Sequence, residues 1–229
     1  MQPMKTMLSW SSGKDSAWAL KILKECAGIE LCGLFTTINA SFDRVAMHAV
    51  RRELVEAQAR AAGLALFTID IPHPCPDDIY ADRMGAFVEK ARQHGVEAMA
   101  FGDLYLADIR AYREAMLAHT GITPLFPLWG KDTRELARVM IAGGLRAFVT
   151  CVDSGRLDAA FAGRAFDLDF LAALPQGVDP CGENGEFHTL AVAGPMFSTI
   201  IQVRPGEITA RDGFVFADFE AALSGPDRS

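Results

Sequence analysis

Met7-Leu8-Ser9-Trp10-Ser11-Ser12-Gly13-Lys14-Asp15-Ser16-Ala17 is the stretch on which the fold turns. An apolar strand ends at Trp10, small residues turn the chain, and apolar side chains then recur at helical spacing through Ala17, Leu20, Ile22 and Leu23. Small residues let the backbone come close to a ligand. The first amides of the new helix lack intrahelical partners and carry the positive end of its dipole. That geometry holds a phosphate. The plain alternative is a capped turn with Ser11 or Ser12 as N-cap. The spacing is not that of the common phosphate loop: the turn is shorter, and Asp15 stands between the lysine and the last serine.

Outward from this turn the first half alternates strand and helix. Strands are predicted at Met4–Trp10, Leu31–Thr37, Leu64–Ile69, Ala98–Phe101 and Thr123–Phe126. Helices are predicted at Asp15–Cys26, Arg44–Ala62, Pro76–His94 and Asp108–His119, with Gly28, Gly63, Gly95 and Gly121 placed to end them in left-handed backbone. This rhythm gives an α/β fold, a parallel Rossmann-like sheet covered on both faces, which binds ligands beyond the carboxyl ends of its strands. Ser11–Ser16 occupies one such end and Gly102-Asp103 another. A helix at Asp132–Gly143 and a strand at Ala147–Val152 follow, and then the rhythm changes. A short helix at Asp167–Ala173, a Gly- and Pro-rich stretch at Pro175–Gly185, and strands at Glu186–Val192, Thr199–Val203 and Gly213–Ala217 read as a smaller C-terminal α+β domain. Asp212-Gly213 marks a hairpin between the last two strands. The domains are drawn at 1–129 and 130–229, and the tail Ser224–Ser229 is expected to fray.

Composition narrows the function. Half of the 229 residues are apolar, so a packed core is expected. The N-terminus lacks a signal peptide's apolar region, and no apolar run reaches the roughly 20 residues of a membrane span, so a cytoplasmic protein without membrane contact is expected. The net charge is −7 and Arg51-Arg52 is the only adjacent basic pair, which disfavours a nucleic-acid partner. The five cysteines form no Cys-x-x-Cys pair, so neither a zinc site nor a disulfide framework is suggested. Cys26, Cys32 and Cys151 read as small buried hydrophobes.

A second dense signal is Asp179-Pro180-Cys181-Gly182-Glu183-Asn184-Gly185-Glu186-Phe187-His188-Thr189. Period-two alternation places Glu186 and His188 on one face of a strand, with Phe187 and Thr189 on the other. A glycine turn with solvated acids would explain it equally well if it stood alone. The two signals do not stand alone. Ser11–Ser16 resembles the PP-loop of the N-type ATP pyrophosphatases, written Ser-Gly-Gly-x-Asp-Ser, with Ser12 in place of the first glycine. Ser12 is expected not to need a positive φ there. Glu183-Asn184-Gly185-Glu186 resembles the Glu-Gly-Gly-Glu-like signature that the diphthine–ammonia ligase family adds to a PP-loop domain. Phe101–Leu104, Arg110–Glu114 and Pro124–Trp129 also look like that family, so the likeness runs from about Met4 to about Phe219. Asn184 stands where the pattern has glycine, and His188 where the diphthine enzymes often have an acid. An Ala- and Arg-rich style looks bacterial, and bacteria lack the elongation factor that bears diphthamide.

The resemblance implies a fold of the adenine-nucleotide α-hydrolase type and a reaction in which a substrate carboxylate attacks the α-phosphorus of ATP. Pyrophosphate leaves, and ammonia turns the acyl-adenylate into an amide. Ser11, Ser12, Gly13, Lys14, Asp15 and Ser16 would hold the phosphates, the Lys14 ammonium neutralising the leaving pyrophosphate. Asp15 either caps the helix or holds Mg²⁺ between phosphate oxygens. Thr36 and Thr37 would border adenine. Gly102 and Asp103 would touch nucleotide or metal, Asp103 also serving as N-cap of the next helix. Arg110 and Arg113 share a helix face and suit either an anionic substrate or a solvated pairing with Glu114. Glu183 and Glu186 would bind a second Mg²⁺ or hold ammonium and take its proton, with His188 as proton carrier. His48, His73, His94 and His119 read as surface or capping residues. The partners expected are a small or peptide-linked carboxylate and ammonia, and a homo-oligomer is compatible with all of this. A PP-loop enzyme modifying a tRNA base and an adenine-nucleotide sensor without turnover are the competing functions. Acidity and missing cysteine pairs oppose the first, and the intact Lys14, Asp15, Ser16 and glutamates oppose the second.

Overall fold

Parallel pairing about one central strand sets the architecture. In the computed structural model, which describes residues 2–45 and 49–222, β1 (Met4–Ser9) lies between β2 (Ile29–Asn39) and β5 (Ala98–Ala100). β6 (Thr123–Leu125) continues the parallel order beyond β5, and β4 (Leu66–Ile71) runs parallel along the other edge of β2. The end of β2 also takes a short antiparallel strand, β3 (Arg44–Val45), at Ile38 and Asn39. Since β4 fills one edge of β2, β3 lies on the edge that β1 leaves after its last rung at Ser9 and Phe35.

Strand alternation divides the apolar side chains between two faces. Leu8, Leu34 and Ala100 pack with α1 (Lys14–Glu25), α2 (Arg52–Ala62) and α5 (Thr133–Ala142). Met7, Phe35, Met99 and Phe101 pack with α3 (Asp77–Gln93) and α4 (Ala107–Leu117). Such near-continuous apolar strands belong to a sheet buried on both sides.

The second sheet is antiparallel, with β8 (Phe187–Ala193), β7 (Arg146–Asp153), β10 (Phe214–Ala221) and β9 (Val203–Arg211) in that spatial order. Asp212 and Gly213 both have positive φ, 53° and 81°, as the two-residue turn between β9 and β10 requires. One face of this sheet, with Val149, Val152, Phe187 and Val215, joins α6 (Leu168–Ala173) and the same core that holds Leu8 and α1. A single apolar core therefore runs through both sheets. The fold is mixed α/β: a mostly parallel Rossmann-like sheet with an antiparallel sheet in the C-terminal region. No helix among the described residues is long and apolar enough to cross a membrane.

Four expectations are corrected. The helix predicted over Arg44–Ala62 begins only at Arg52. Before it, Arg44-Val45 folds into a hairpin, with Val45 N–H donating to Val50 O and left-handed backbone at Asp43 and Ala49. The apolar pattern of the helix extends N-terminally past Arg52 into residues that pair with the end of β2. The strand predicted at Thr199–Val203 lies at Val203–Arg211, on the exposed edge of the second sheet, where Pro205 and polar side chains are tolerated and blur the pattern. Gly28 is not left-handed, because α1 ends at Cys26 in extended backbone. Cys26 and Cys32 are exposed, and only Cys151 of that trio is buried. His48 and the tail Ser224–Ser229 lie outside the described residues.

Candidate functional site

The turn after β1 is built by residues far away in the chain. Gly13 is the N-cap of α1, in extended backbone and without a side-chain cap, so neither Ser11 nor Ser12 caps the helix. Ser11 Oγ donates to Ser16 Oγ at 3.1 Å, and Ser16 Oγ donates to Gly13 O at 3.0 Å. Ser12 has φ +71°, contrary to expectation, and its buried hydroxyl has no hydrogen-bond partner. Its carbonyl fixes this strained geometry by accepting from Ala191 N–H and from Gln58 Nε2, both at 2.9 Å. Gln58 is fully buried, accepts from Trp10 Nε1 at 2.8 Å and donates also to Ala191 O. One of the helix-start amides is already used: Lys14 N–H donates to Thr189 Oγ1 at 3.0 Å.

Lys14 is buried rather than extended over the loop. Its ammonium donates to the carbonyl of Cys181 and, at 2.9 Å, to Asp15 Oδ2, above the rings of Phe187 and Phe166. Burial is the largest effect and opposes its charge, but Asp15, Cys181 and Glu183 together outweigh it, so its pKa stands above the ordinary lysine value. Asp15 is raised by burial despite Lys14, with Asp179 adding to the effect. Its Oδ1 is buried and without a hydrogen-bond partner.

The end of β5 closes against the same helix. A Cβ placed on Gly102 would lie 3.1 Å from Ser16 N, so any larger residue would crowd the start of α1. Asp103 does not cap α4, whose N-cap is Leu106. Instead Asp103 lies beside Arg113, at 3.8 Å, with its Oδ2 lacking a hydrogen-bond partner. Burial raises its pKa, Arg113 opposes that, and Asp15 reinforces it, so the two aspartates feel each other. Arg113 lies over Phe101, while Arg110 rests on Phe126 and Trp129 and pairs with Glu114.

The Asp179–Thr189 segment folds over this end of the sheet. Glu183 Oε1 accepts from the amides of Leu104 at 2.8 Å and Tyr105 at 3.4 Å, the residues after Asp103. Burial raises its pKa to about 7 despite those two bonds, with Asp15 adding to the rise. Glu186 is buried, and its Oε1 accepts from Asp179 N–H and Asn184 Nδ2, each at 3.0 Å, while Oε2 has no hydrogen-bond partner. Phe187 and Thr189 both face Lys14, as alternation required. His188 turns into a different space, a cleft of about 750 Å³ bounded also by Cys151, Phe42 and Phe216. Burial, and then Lys14, lower its pKa to about 4, so the ring is neutral. Thr36 and Thr37 lie within β2 beside β4. Since Phe35 O accepts from Trp10 N–H, Thr37 turns its backbone polar groups to the same edge, above the turn.

Comparison with known proteins assigns the chain as a whole. A family model described as the diphthamide synthase N-terminal domain matches residues 4–124, and one described as the diphthamide synthase C-terminal domain matches residues 132–221. The chain belongs to the diphthamide synthase family. Among curated relatives, it is 27% identical over 161 residues to the human protein named diphthine–ammonia ligase, covering 68% of this chain and 60% of that protein. Identity to the cattle protein of that name is 29% over 128 residues, covering 53% and 48%. The zebrafish protein of that name is 27% identical over 232 residues, covering 90% and 89%. The chain thus spans less than two thirds of the human protein and about half of the cattle protein.

In this member of the diphthamide synthase family, the described residues offer no cluster of three or more His, Cys, Asp or Glu side chains arranged to hold a metal. Asp15 Oδ1 and Asp103 Oδ2 are nevertheless buried carboxylate oxygens without hydrogen-bond partners. Magnesium is commonly held by one or two carboxylates together with substrate phosphates, and this donor set fits that arrangement. Gln58 and Tyr105 were not singled out from the sequence, and Thr189 was placed on its strand face without a partner being foreseen. Gln58 sits inside an amphipathic helix, and no local pattern says that its amide serves a loop 46 residues earlier.

Proposed function

We propose that the chain is an AMP-forming, ATP-dependent ligase that adenylates a carboxylate and amidates it with ammonia, with residues 1–129 binding ATP and residues 130–229 contributing the acceptor side. One observation carries the reading: the PP-loop and the Asp179–Thr189 segment are hydrogen-bonded into one site through Lys14, Thr189 and Cys181. A phosphate-binding turn that served only to hold a nucleotide would not need buried carboxylate oxygens without hydrogen-bond partners around it, as on Asp15, Asp103 and Glu186.

The turn Ser11–Ser16 receives the phosphates on backbone amides and on the Ser11 and Ser16 hydroxyls. Thr36 and Thr37 border the adenine, and Gly102 lets the chain after β5 approach the nucleotide. Lys14 orders the site by joining the turn to the Cys181 carbonyl and keeps Asp15 in place. Asp15, with Asp103, would hold a magnesium ion, which supplies charge neutralisation for the phosphates when bound.

An oxygen of the substrate carboxylate forms a bond to the α-phosphorus, and the bond to the bridging oxygen of pyrophosphate breaks. Ammonia then attacks the acyl carbon and AMP leaves with the electron pair of the broken C–O bond. Ammonium must first lose a proton. Glu183, with a pKa near 7, is matched to accept it at neutral pH, and Glu186 Oε2 provides a second buried oxygen to hold the cation. His188, held neutral, contributes a hydrogen-bonding ring rather than the main base. Asn184 and His188 depart from the diphthine-type pattern, which supports an acceptor other than diphthine.

The test is to incubate the full chain with Mg·ATP, ammonium and fractions of a small-metabolite extract, and to resolve the nucleotide products. AMP and pyrophosphate dependent on one fraction, and lost in Asp15→Asn, support the ligase. ADP and phosphate overturn it. ATP bound but unchanged in every fraction favours the sensor.

A further inference from the structure

Arg113, on α4, is only 21% exposed, yet its guanidinium donates no hydrogen bond among the described residues. Its Nε is buried without a partner, and the Asp103 Oδ2 that faces it, 3.8 Å away, is buried and without a hydrogen-bond partner as well. Arg44, Arg51 and Arg52 are no more buried, and each donates to a carboxylate, Asp218 or Asp43. The ring of Phe101, 5.0 Å from the Arg113 guanidinium, holds it in place but takes none of its donors. Withdrawing a guanidinium from water without giving it new hydrogen bonds is costly, and an exception of this kind requires a reason.

The surroundings of Asp103 supply that reason. Gly102 lies against Ser16 at the start of α1, and the amides of Leu104 and Tyr105 hold Glu183. Arg113 therefore stands on the β5 side of the Ser11–Ser16 turn. Thr36 and Thr37 stand on the β2 side, with β1 between them. Lys14 is not free to meet an anion above the turn, because its ammonium is spent on Asp15 and on the Cys181 carbonyl. Arg110, three residues before Arg113, is also committed: it lies over Phe126 and Trp129 and donates to Glu114 at 2.8 Å. Arg113 is the arginine of this pair with donors to offer.

We propose that Arg113 receives the β- and γ-phosphates of the nucleotide, exchanging its loose pairing with Asp103 for charge-assisted hydrogen bonds to phosphate oxygens. An oxyanion is the partner that a planar fork of unused donors suits. The choice of the terminal phosphates rests on the reading above, in which adenine borders Thr36 and Thr37. The nucleotide then crosses the strand ends from β2 over β1 toward β5. The charge neutralisation expected of Lys14 falls to Arg113.

Isothermal titration of the full chain with α,β-methylene-ATP, inorganic pyrophosphate and AMP, at constant magnesium, tests the contact. Arg113→Gln should weaken the ATP analogue and pyrophosphate roughly ten- to hundredfold, the loss of hydrogen bonds to a charged group, and leave AMP unchanged. Arg113→Met, which keeps the stem over Phe101, should behave alike, and Arg113→Lys should recover part of the affinity. Arg110→Gln should alter none of the three. Unchanged affinity for the analogue in both neutral variants, or a loss for AMP as large as that for the analogue, overturns the contact. If the wild-type chain does not bind the analogue, the nucleotide reading fails and the contact fails with it. If the variants lose the analogue as expected while the product assay yields ADP, the ligase reading fails and the contact stands. AMP formation by the wild-type chain, with unchanged analogue affinity in the variants, has the reverse meaning.

Discussion

Gln58 Nε2 lies 2.9 Å from the carbonyl oxygen of Ser12 and 2.7 Å from that of Ala191, so one buried amide joins the Ser11–Ser16 turn to the antiparallel sheet. Replacing it with leucine keeps the volume and strands the Trp10 indole N–H and two carbonyl interactions. Gln58→Leu should cost about 2–4 kcal/mol in urea denaturation, because buried polar groups lose partners they cannot exchange for water. ATP affinity should fall with it. A cost below half a kilocalorie would mean that water replaces the amide.

Ser12 pays for its left-handed backbone and for a hydroxyl with no hydrogen-bond partner. Ser12→Gly removes both costs and should stabilise the fold by about 1 kcal/mol, net of the greater freedom glycine has when unfolded. The check is the urea midpoint at unchanged slope.

Glu183 binds more protons when folded than when unfolded between its ordinary pKa of 4.5 and its raised value of about 7. Its contribution to stability is therefore greatest below about pH 4.5, declines as pH rises through that window, and is lost above it. Glu183→Gln should raise stability at pH 8 by roughly 1–2 kcal/mol, discounted for partial exposure, and leave it unchanged at pH 4. His188 opposes this trend, since its pKa is lowered to about 4 and the folded state gains stability as pH rises from about 4 to 6.5. Thermal melts of both proteins across pH 4–8 separate the two. An identical pH profile for the variant would exclude a perturbed Glu183.

At Gly102 an added Cβ meets the backbone of Asp15 and Ser16 at 3.2 and 3.1 Å, with no flexible side chain to yield. Gly102→Ala should push the end of β5 from the start of α1, costing about 1–3 kcal/mol. Nucleotide turnover should fall more than tenfold, because the turn and the carboxylates above it move apart. Undiminished turnover would show that this approach does not set the geometry.

The sheet was legible because each of its elements is written locally. The apolar runs of β1 and β5, the helix after Gly13 and the turn at Asp212-Gly213 all carry their own signals. What escaped was set by tertiary context. Arg44-Val45 forms a strand because the end of β2 leaves an edge for it, and β9 tolerates Pro205 because it lies at the rim. At the site, the residue types were legible and their directions were not. Lys14 looks like a phosphate ligand in any sequence, yet the carbonyl of Cys181 and the rings of Phe166 and Phe187 draw it inward. His188 alternates away from Phe187 as the strand period demands, but nothing local reveals which space lies on that side.

The bond between the Lys14 amide and Thr189 spans 175 positions of the chain. During synthesis the Ser11–Ser16 turn leaves the ribosome long before the strand that braces it, and at ordinary elongation rates that interval lasts about ten to thirty seconds. Throughout it Ser12 has no Ala191 to hold its carbonyl, and Lys14 has neither Thr189 nor Cys181. A nascent chain halted anywhere before β8 therefore carries the whole motif without the partners that fix it, and the turn is complete only once residues through Ala191 have emerged.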